Sequence, residues 1–64
     1  MYNQVRLQQG GMVLVCWIPV DKRVKHGVKL TLKDGPEGWW EVLEVYTTQK
    51  PVDQIRKTWK VGGL

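Results

Sequence analysis

The residues best suited to chemistry in this chain are its single cysteine and its single histidine, Cys16 and His26. They are the only soft metal ligands, and two are too few to fill the tetrahedral shell of a structural zinc site. A Cys–His nucleophilic pair would also need a third group to orient the base. Because Cys16 lies in a continuous apolar run, where burial raises a thiol pKa, we interpret Cys16 as an inert core residue and His26 as a turn residue.

The acidic residues and the glycines provide no second catalytic arrangement. We expect Glu41 and Glu44 to be paired with lysines of a neighbouring strand and therefore not free for acid–base catalysis. The pairs Gly10–Gly11 and Gly62–Gly63 lack the strand-to-helix context and the Lys-Ser/Thr of a phosphate-binding loop. A chain of 64 residues also leaves little room for a pocket of ~300 Å³ beside a core. The sequence predicts no catalytic residue, no metal site and no cofactor, and so a protein that is not an enzyme.

The four tryptophans are a stronger functional signal, because exposed tryptophan is enriched in binding hot spots. Trp17 and Trp40 are predicted to be buried, as the large side chains of a small core. Strand alternation places Trp39 on the face opposite Trp40, so we expect Trp39 to be partly exposed and to be the leading contact residue. Trp59 either covers the core or anchors a partner, and Tyr46 is a weaker contact candidate.

The net charge of +4 is divided between two basic clusters. We expect Lys29 and Lys33 to be neutralised by Glu44 and Glu41 in a folded hairpin, each pair contributing about 0.2–1 kcal/mol. The positive charges that remain are Lys22, Arg23 and Lys25 in one loop, and Lys50, Arg56, Lys57 and Lys60 near the C-terminus. Basic clusters near aromatic rings suit a nucleic-acid backbone, but a solvated surface has the same composition.

The secondary-structure elements that position these residues are predicted from the spacing of apolar and polar residues along the chain. Residues 28–33 alternate between apolar and polar, residues 34–38 have turn chemistry, and residues 39–46 form the returning strand. A β-bulge near Leu43 keeps Val45 on the buried face. The predicted register then places Leu32 opposite Trp40, Leu30 opposite Val42, and Val28 opposite Val45.

The rest of the chain completes a single small domain over residues 1–64. Gln4 to Gln8 is a short strand candidate, and the apolar run from Met12 to Ile18 is typical of a central strand. Residues 20–27 form the basic loop. Apolar residues at helical spacing predict a C-terminal helix over residues 50–61, after the strands of residues 4–46.

The fold class is therefore mainly β. The prediction is a small SH3-like barrel, or a twisted antiparallel meander, of four or five short strands with one short C-terminal helix. A chain of this size buries only about 60% of its unfolded surface, so pairing with a second copy or a partner would add stability. A homodimer is one of the expected arrangements.

The setting of the protein is predicted to be intracellular and reducing. One cysteine excludes an internal disulfide, and no apolar run approaches the ~18–20 residues of a membrane span. The first residues also lack the charged and apolar regions of a signal peptide.

Three segments carry a family resemblance: Trp17-Ile18-Pro19, Gly27-Val28-Lys29-Leu30, and Gly38-x-Trp40-x-Val42-x-x-Val45. Together they resemble very short proteins encoded by tailed bacteriophages, in which a W-V/I-P element precedes a hairpin ending in G-x-W-x-V-x-x-V and a basic tail follows. The resemblance covers roughly residues 5–46. It implies a phage accessory protein acting in the host cytoplasm, and it carries over no catalytic residue.

Two binding functions follow. The first is an accessory protein that engages or inhibits a host complex, with a host or phage protein as partner. Its predicted contact residues are Trp39, Tyr46, Trp59, Arg56, Lys57 and Lys60. The second is a small basic barrel that binds nucleic acid, with Lys22, Arg23 and Lys25 as its basic loop. A virion or assembly component is a third alternative. Because the acidic side of the hairpin makes the molecule dipolar, the first is favoured.

Overall fold

The computed structural model describes all residues from Met1 to Leu64. Five strands form one sheet: β1 (Tyr2–Gln9), β2 (Met12–Pro19), β3 (Lys29–Leu32), β4 (Trp39–Lys50) and β5 (Val61–Gly62). Their order is β2-β1-β4-β3-β5, and every ladder is antiparallel. The prediction of a mainly β fold is confirmed, as an antiparallel meander and not as a closed barrel.

One face of the sheet carries the core, and the other, which we call the outer face, is polar in its middle. The buried residues are Val5, Leu7, Cys16, Ile18, Val24, Leu30, Leu32, Trp40 and Val42. Trp40 is the largest of them, and its indole Nε1 donates a hydrogen bond to the Pro36 carbonyl at 3.3 Å. Strand alternation accounts for the core residues of the strands, whereas Val24 enters the core from the basic loop of residues 20–27.

Strand β2 lies at the edge of the sheet, so its predicted central position is wrong. The two-residue turn Gly10–Gly11 folds β2 back onto β1, and β4 then occupies the other side of β1. Since β2 has core on one face only, Cys16 and Ile18 are buried while Val13 and Val15 are exposed. Trp17 shares the outer face with the two valines and is not in the core, which corrects the prediction for that residue.

The hairpin of β3 and β4 forms, but its register differs by two residues from the prediction. Leu30 lies opposite Trp40, and Lys29 lies opposite Glu41. An even shift leaves every side chain on its predicted face. Leu30, Leu32, Trp40 and Val42 are buried, and Val28 and Val45 are partly buried against them. The bulge is present at Leu43, where the β1–β4 register passes from Leu7–Val42 to Arg6–Glu44.

This register also changes the ion pairs. Glu44 lies across from β1 and pairs with Arg6, with 3.5 Å between Nη2 and Oε2. The predicted pairs of Glu44 with Lys29 and of Glu41 with Lys33 are therefore wrong. Lys33 lies beyond the end of β3 and outside the ladder.

The predicted C-terminal helix is wrong as well, because only residues Val52–Gln54 form a 3-10 turn. The chain beyond it is extended. The Trp59 N–H donates to the Trp17 carbonyl at 3.0 Å, and the Lys33 N–H donates to the Lys60 carbonyl at 2.9 Å. An isolated helix of this length is marginal in water, whereas the extended segment makes hydrogen bonds to the edges of both β2 and β3.

Candidate functional site

Trp39 is the largest exposed apolar side chain of the sheet. The residue is 56% exposed, while its neighbour Trp40 is 0% exposed, so the predicted opposite placement of the two rings is confirmed. The backbone of Gly63 lies directly against the Trp39 ring, because a Cβ at position 63 would fall 2.6 Å from the ring atom Cζ3. The C-terminal segment thus supports the indole on one side and leaves the rest of the ring open to solvent.

An open groove of about 250 Å³ lies beside this ring. Its lining residues are Gln8, Gln9, Gly10, Lys29, Trp39 and Glu41. The Gln9 amide Nε2 donates to the Glu37 carbonyl at 2.7 Å and to the Trp39 carbonyl at 3.3 Å. These two bonds tie the β1–β2 turn to the start of β4, so both walls of the groove are held in place before any ligand arrives.

The groove combines one apolar ring with hydrogen-bond donors and hydrogen-bond acceptors. Lys29 and Glu41 lie opposite each other on β3 and β4, so an ammonium donor and a carboxylate acceptor are presented side by side. Gln8 adds an amide, which both donates and accepts. We define the Trp39 surface as Trp39 with Gln8, Gln9, Lys29 and Glu41.

The two residues first considered for chemistry lie away from the Trp39 surface. Cys16 is a buried free thiol, and burial raises its pKa to about 11, so the thiol is protonated at neutral pH. His26 is exposed in a turn of the basic loop. No three His, Cys, Asp or Glu side chains come together in a group that could hold a metal ion.

The basic loop has two free cations and not three. Lys22 and Lys25 are exposed, but Arg23 is paired with Asp21. Its Nη2 lies 2.8 Å from Asp21 Oδ2, its Nε lies 3.1 Å from Oδ1, and its backbone N–H also donates to Oδ1 at 2.8 Å. These bonds lower the pKa of Asp21 to about 2 and raise the pKa of Arg23. The prediction that Arg23 is an unpaired charge is therefore wrong.

We expect the Asp21 carboxyl to titrate near pH 2 and not at its ordinary 3.8. Since the pKa is lower in the folded chain than in the unfolded chain, the pair stabilises the fold above pH 3.8. That contribution is lost as the pH falls from 3.8 towards 2. An NMR titration of the Asp21 carboxyl carbon measures the midpoint. Arg23→Gln should raise it from about 2 towards 3.8, but not the whole way, because the backbone N–H of residue 23 still donates to Oδ1. An ordinary midpoint in the wild type would contradict the assignment.

The other predicted contact residues lie outside the groove. Trp59 packs against the core with its ring on the backbone of Gly35, and Lys57 Nζ lies 4.3 Å from the centroid of that ring. Tyr46 is half-buried, and its carbonyl accepts a hydrogen bond from Asn3 Nδ2 at 3.0 Å. Arg56 and Lys60 are exposed.

Sequence reasoning did not find the groove. Gln8 and Gln9 come from β1, while Glu41 comes from β4, and these strands are joined by the Gln8–Glu41 register of residues far apart in the chain. The Gly10–Gly11 turn was recognised, but nothing in the sequence indicated which strand would lie beside β1.

Comparison with known proteins gives no relative: no family model, no curated protein and no solved structure matches this chain. No helix in the structure combines the length and the apolar character needed to cross a bilayer. Function must therefore be inferred from the geometry of the exposed residues.

Proposed function

We propose that this protein is a small non-enzymatic binding module that engages another protein through the Trp39 surface. The observation that carries the proposal is an indole 56% exposed, supported by Gly63 and placed beside a preformed polar groove. Large rigid rings next to hydrogen-bonding groups are typical of interface hot spots, because the ring is buried on binding at little entropic cost.

The charges around Trp39 favour a protein over a nucleic acid. Glu41 lines the groove, and Glu37 lies in the loop that Gln9 holds against it. Carboxylates at this position repel a phosphate backbone, whereas the Lys29–Glu41 pair can bind the mixed donors and acceptors of a polypeptide. In the basic loop, Asp21 neutralises Arg23, which leaves fewer free cations for phosphate.

The resemblance to short tailed-phage proteins supports the biological setting of this proposal. It favours an accessory protein in the host cytoplasm that engages or inhibits a host protein complex. The protonated, unpaired Cys16 suits a reducing compartment. A virion or assembly component is the alternative that would use the same surface.

Affinity capture from host lysate tests the proposal, with wild-type protein, Trp39→Ala and the double variant Lys22→Ala/Lys25→Ala. We expect Trp39→Ala to weaken capture of the protein partner about 30-fold or more, since hot-spot truncation costs about 2 kcal/mol or more. The double variant should bind like the wild type, and capture should survive nuclease and high salt.

Nucleic-acid binding, the competing function, predicts a different dependence on salt and on the substituted residues. Direct binding to phosphate weakens steeply and log-linearly as salt rises, and it would depend on Lys22 and Lys25 more than on Trp39. Recovery of nuclease-sensitive material alone would overturn the proposed function in favour of nucleic-acid binding.

A further inference from the structure

Strand β2 has an open edge between the Gly10–Gly11 turn and Trp17. β1 pairs with one side of β2 along its whole length. On the other side, the Trp17 carbonyl accepts a hydrogen bond from Trp59, and a bridge joins Trp17 to Thr58. Because backbone polar groups alternate between the two sides of a strand, the N–H and C=O groups of Val13 and Val15 point to the same open side as the Trp17 carbonyl.

No other strand covers these groups, since β2 is the terminal strand of the sheet. The side chains around them are exposed and apolar: Met12 is 61%, Val13 58% and Val15 49% exposed. Proteins ordinarily protect such an edge with lysine, proline or a bulge. The stretch from Met12 to Cys16 has no charge and no proline, and its register with β1 is uninterrupted.

We propose that this edge pairs with the same edge of a second copy of the chain, antiparallel about a two-fold axis at Leu14. Val13 of each copy then lies opposite Val15 of the other. Facing residues in such a pair exchange two hydrogen bonds, so every open N–H and C=O of Val13 and Val15 is satisfied in both copies. The turn at one end and Thr58 at the other limit the free stretch to this register.

A second copy suits this edge because of its lack of charge and its apolar side chains. The molecule carries a net charge of +4, and two copies would repel each other if their contact were basic. The β2 edge has no charged residue from Met12 to Cys16, so pairing there brings no charges of the two edge strands together. The four exposed valines meet on the outer face, and the two Leu14 side chains meet on the core face.

The dimer would also present the Trp39 surfaces of both copies on the same face of the joined sheet. A two-fold axis of this kind is perpendicular to the sheet, so the outer faces of both copies point the same way. Trp39 shares the outer face with Val13, because Gln8 is opposite both Val13 and Glu41. The dimer thus presents two Trp39 surfaces on one face, separated by strands β1 and β2 of both copies, which increases avidity for a target with suitably spaced repeats. The pairing uses no residue of the Trp39 surface and is independent of the proposed function.

Sedimentation equilibrium and amide hydrogen exchange of the wild-type chain test the proposal over a range of concentrations. We expect the mass to rise from 7.4 kDa to twice that value. The Val13 and Val15 amides should become protected with the same concentration dependence, while the Leu14 amide, which faces β1, should not change. The variant Val15→Lys places a charge in the paired edge and should raise the dimer dissociation constant about tenfold or more.

Val20→Lys is the matched control, because Val15 and Val20 are equally exposed at 49% but Val20 lies beyond the end of β2. Val20→Lys should dimerise like the wild type. If Val15→Lys does not fold, as judged by its NMR spectrum, Val13→Lys replaces it. Three results would each overturn the proposal: a monomer up to about 1 mM, a dimer in which the Val13 and Val15 amides still exchange freely, or an unchanged dissociation constant in the folded lysine variant.

Discussion

Trp40→Ala is expected to unfold most of the protein. Trp40 is 0% exposed, and replacing a buried tryptophan by alanine costs about 3–5 kcal/mol through lost burial and the cavity that remains. A domain of this size has a total free energy of unfolding of only about 3–10 kcal/mol. The loss of the Nε1–Pro36 hydrogen bond adds to the effect. Urea denaturation followed by far-ultraviolet circular dichroism measures it.

The adjacent tryptophan provides the control for this experiment. Trp39→Ala removes a ring of the same size from a site that is 56% exposed, and we expect a change in the free energy of unfolding below about 1 kcal/mol. Trp40→Phe keeps most of the buried ring but loses the indole N–H, so its stability should lie between Trp40→Ala and the wild type. Equal losses in Trp39→Ala and Trp40→Ala would contradict the placement of the two rings on opposite faces.

Gly35→Ala is expected to release the C-terminal segment from the sheet. A Cβ at position 35 would overlap the Trp59 ring, so the indole must move away from the core that it covers. Overpacking of this kind costs about 1–3 kcal/mol. Trp59 and Lys60 hold the segment to β2 and β3, so the Trp59 and Lys33 amides should lose protection from hydrogen exchange before the amides of β1.

Gly11→Ala is the matched glycine control, because no heavy atom lies within 4 Å of a Cβ at that position. It should not lower the free energy of unfolding, since alanine at an open position of ordinary φ stabilises slightly through the unfolded chain, and it should not change the exchange of the Trp59 and Lys33 amides. If Gly35→Ala behaves in the same way, the Trp59 ring does not pack on the Gly35 backbone. A global loss of protection in every strand would instead mean that the segment unfolds together with the whole domain.

The strand faces were predictable from the sequence, and the strand order was not. Alternation with a period of two is a local property, and it correctly predicts that Trp40 is buried and Trp39 exposed. It also survives the register error, because a shift of two residues keeps every side chain on its face. Strand order depends on pairs such as Val5–Val45, which join distant parts of the chain and leave no periodic signal.

The apolar run around Cys16 shows why local composition does not determine the place of a strand in the sheet. A continuous apolar strand is typical of a sheet covered on both faces, but β2 is covered on one face only and its edge is open between the turn and Trp17. Tertiary contacts also outweigh local helix preference in the C-terminal segment. There Trp59 and Val61 pack on the core from an extended chain, because the open edges of β2 and β3 offer hydrogen bonds that a short helix cannot match.

The amino-acid sequence by itself therefore determined the mainly β class, the bulge at Leu43 and the exposure of Trp39, since each depends on neighbours along the chain. Only the tertiary structure decided the groove beside Trp39, the Arg6–Glu44 pair and the open edge of β2. Each of these arises where strands distant in sequence come together, and the free energy of that assembly depends on the whole sheet and not on any one segment.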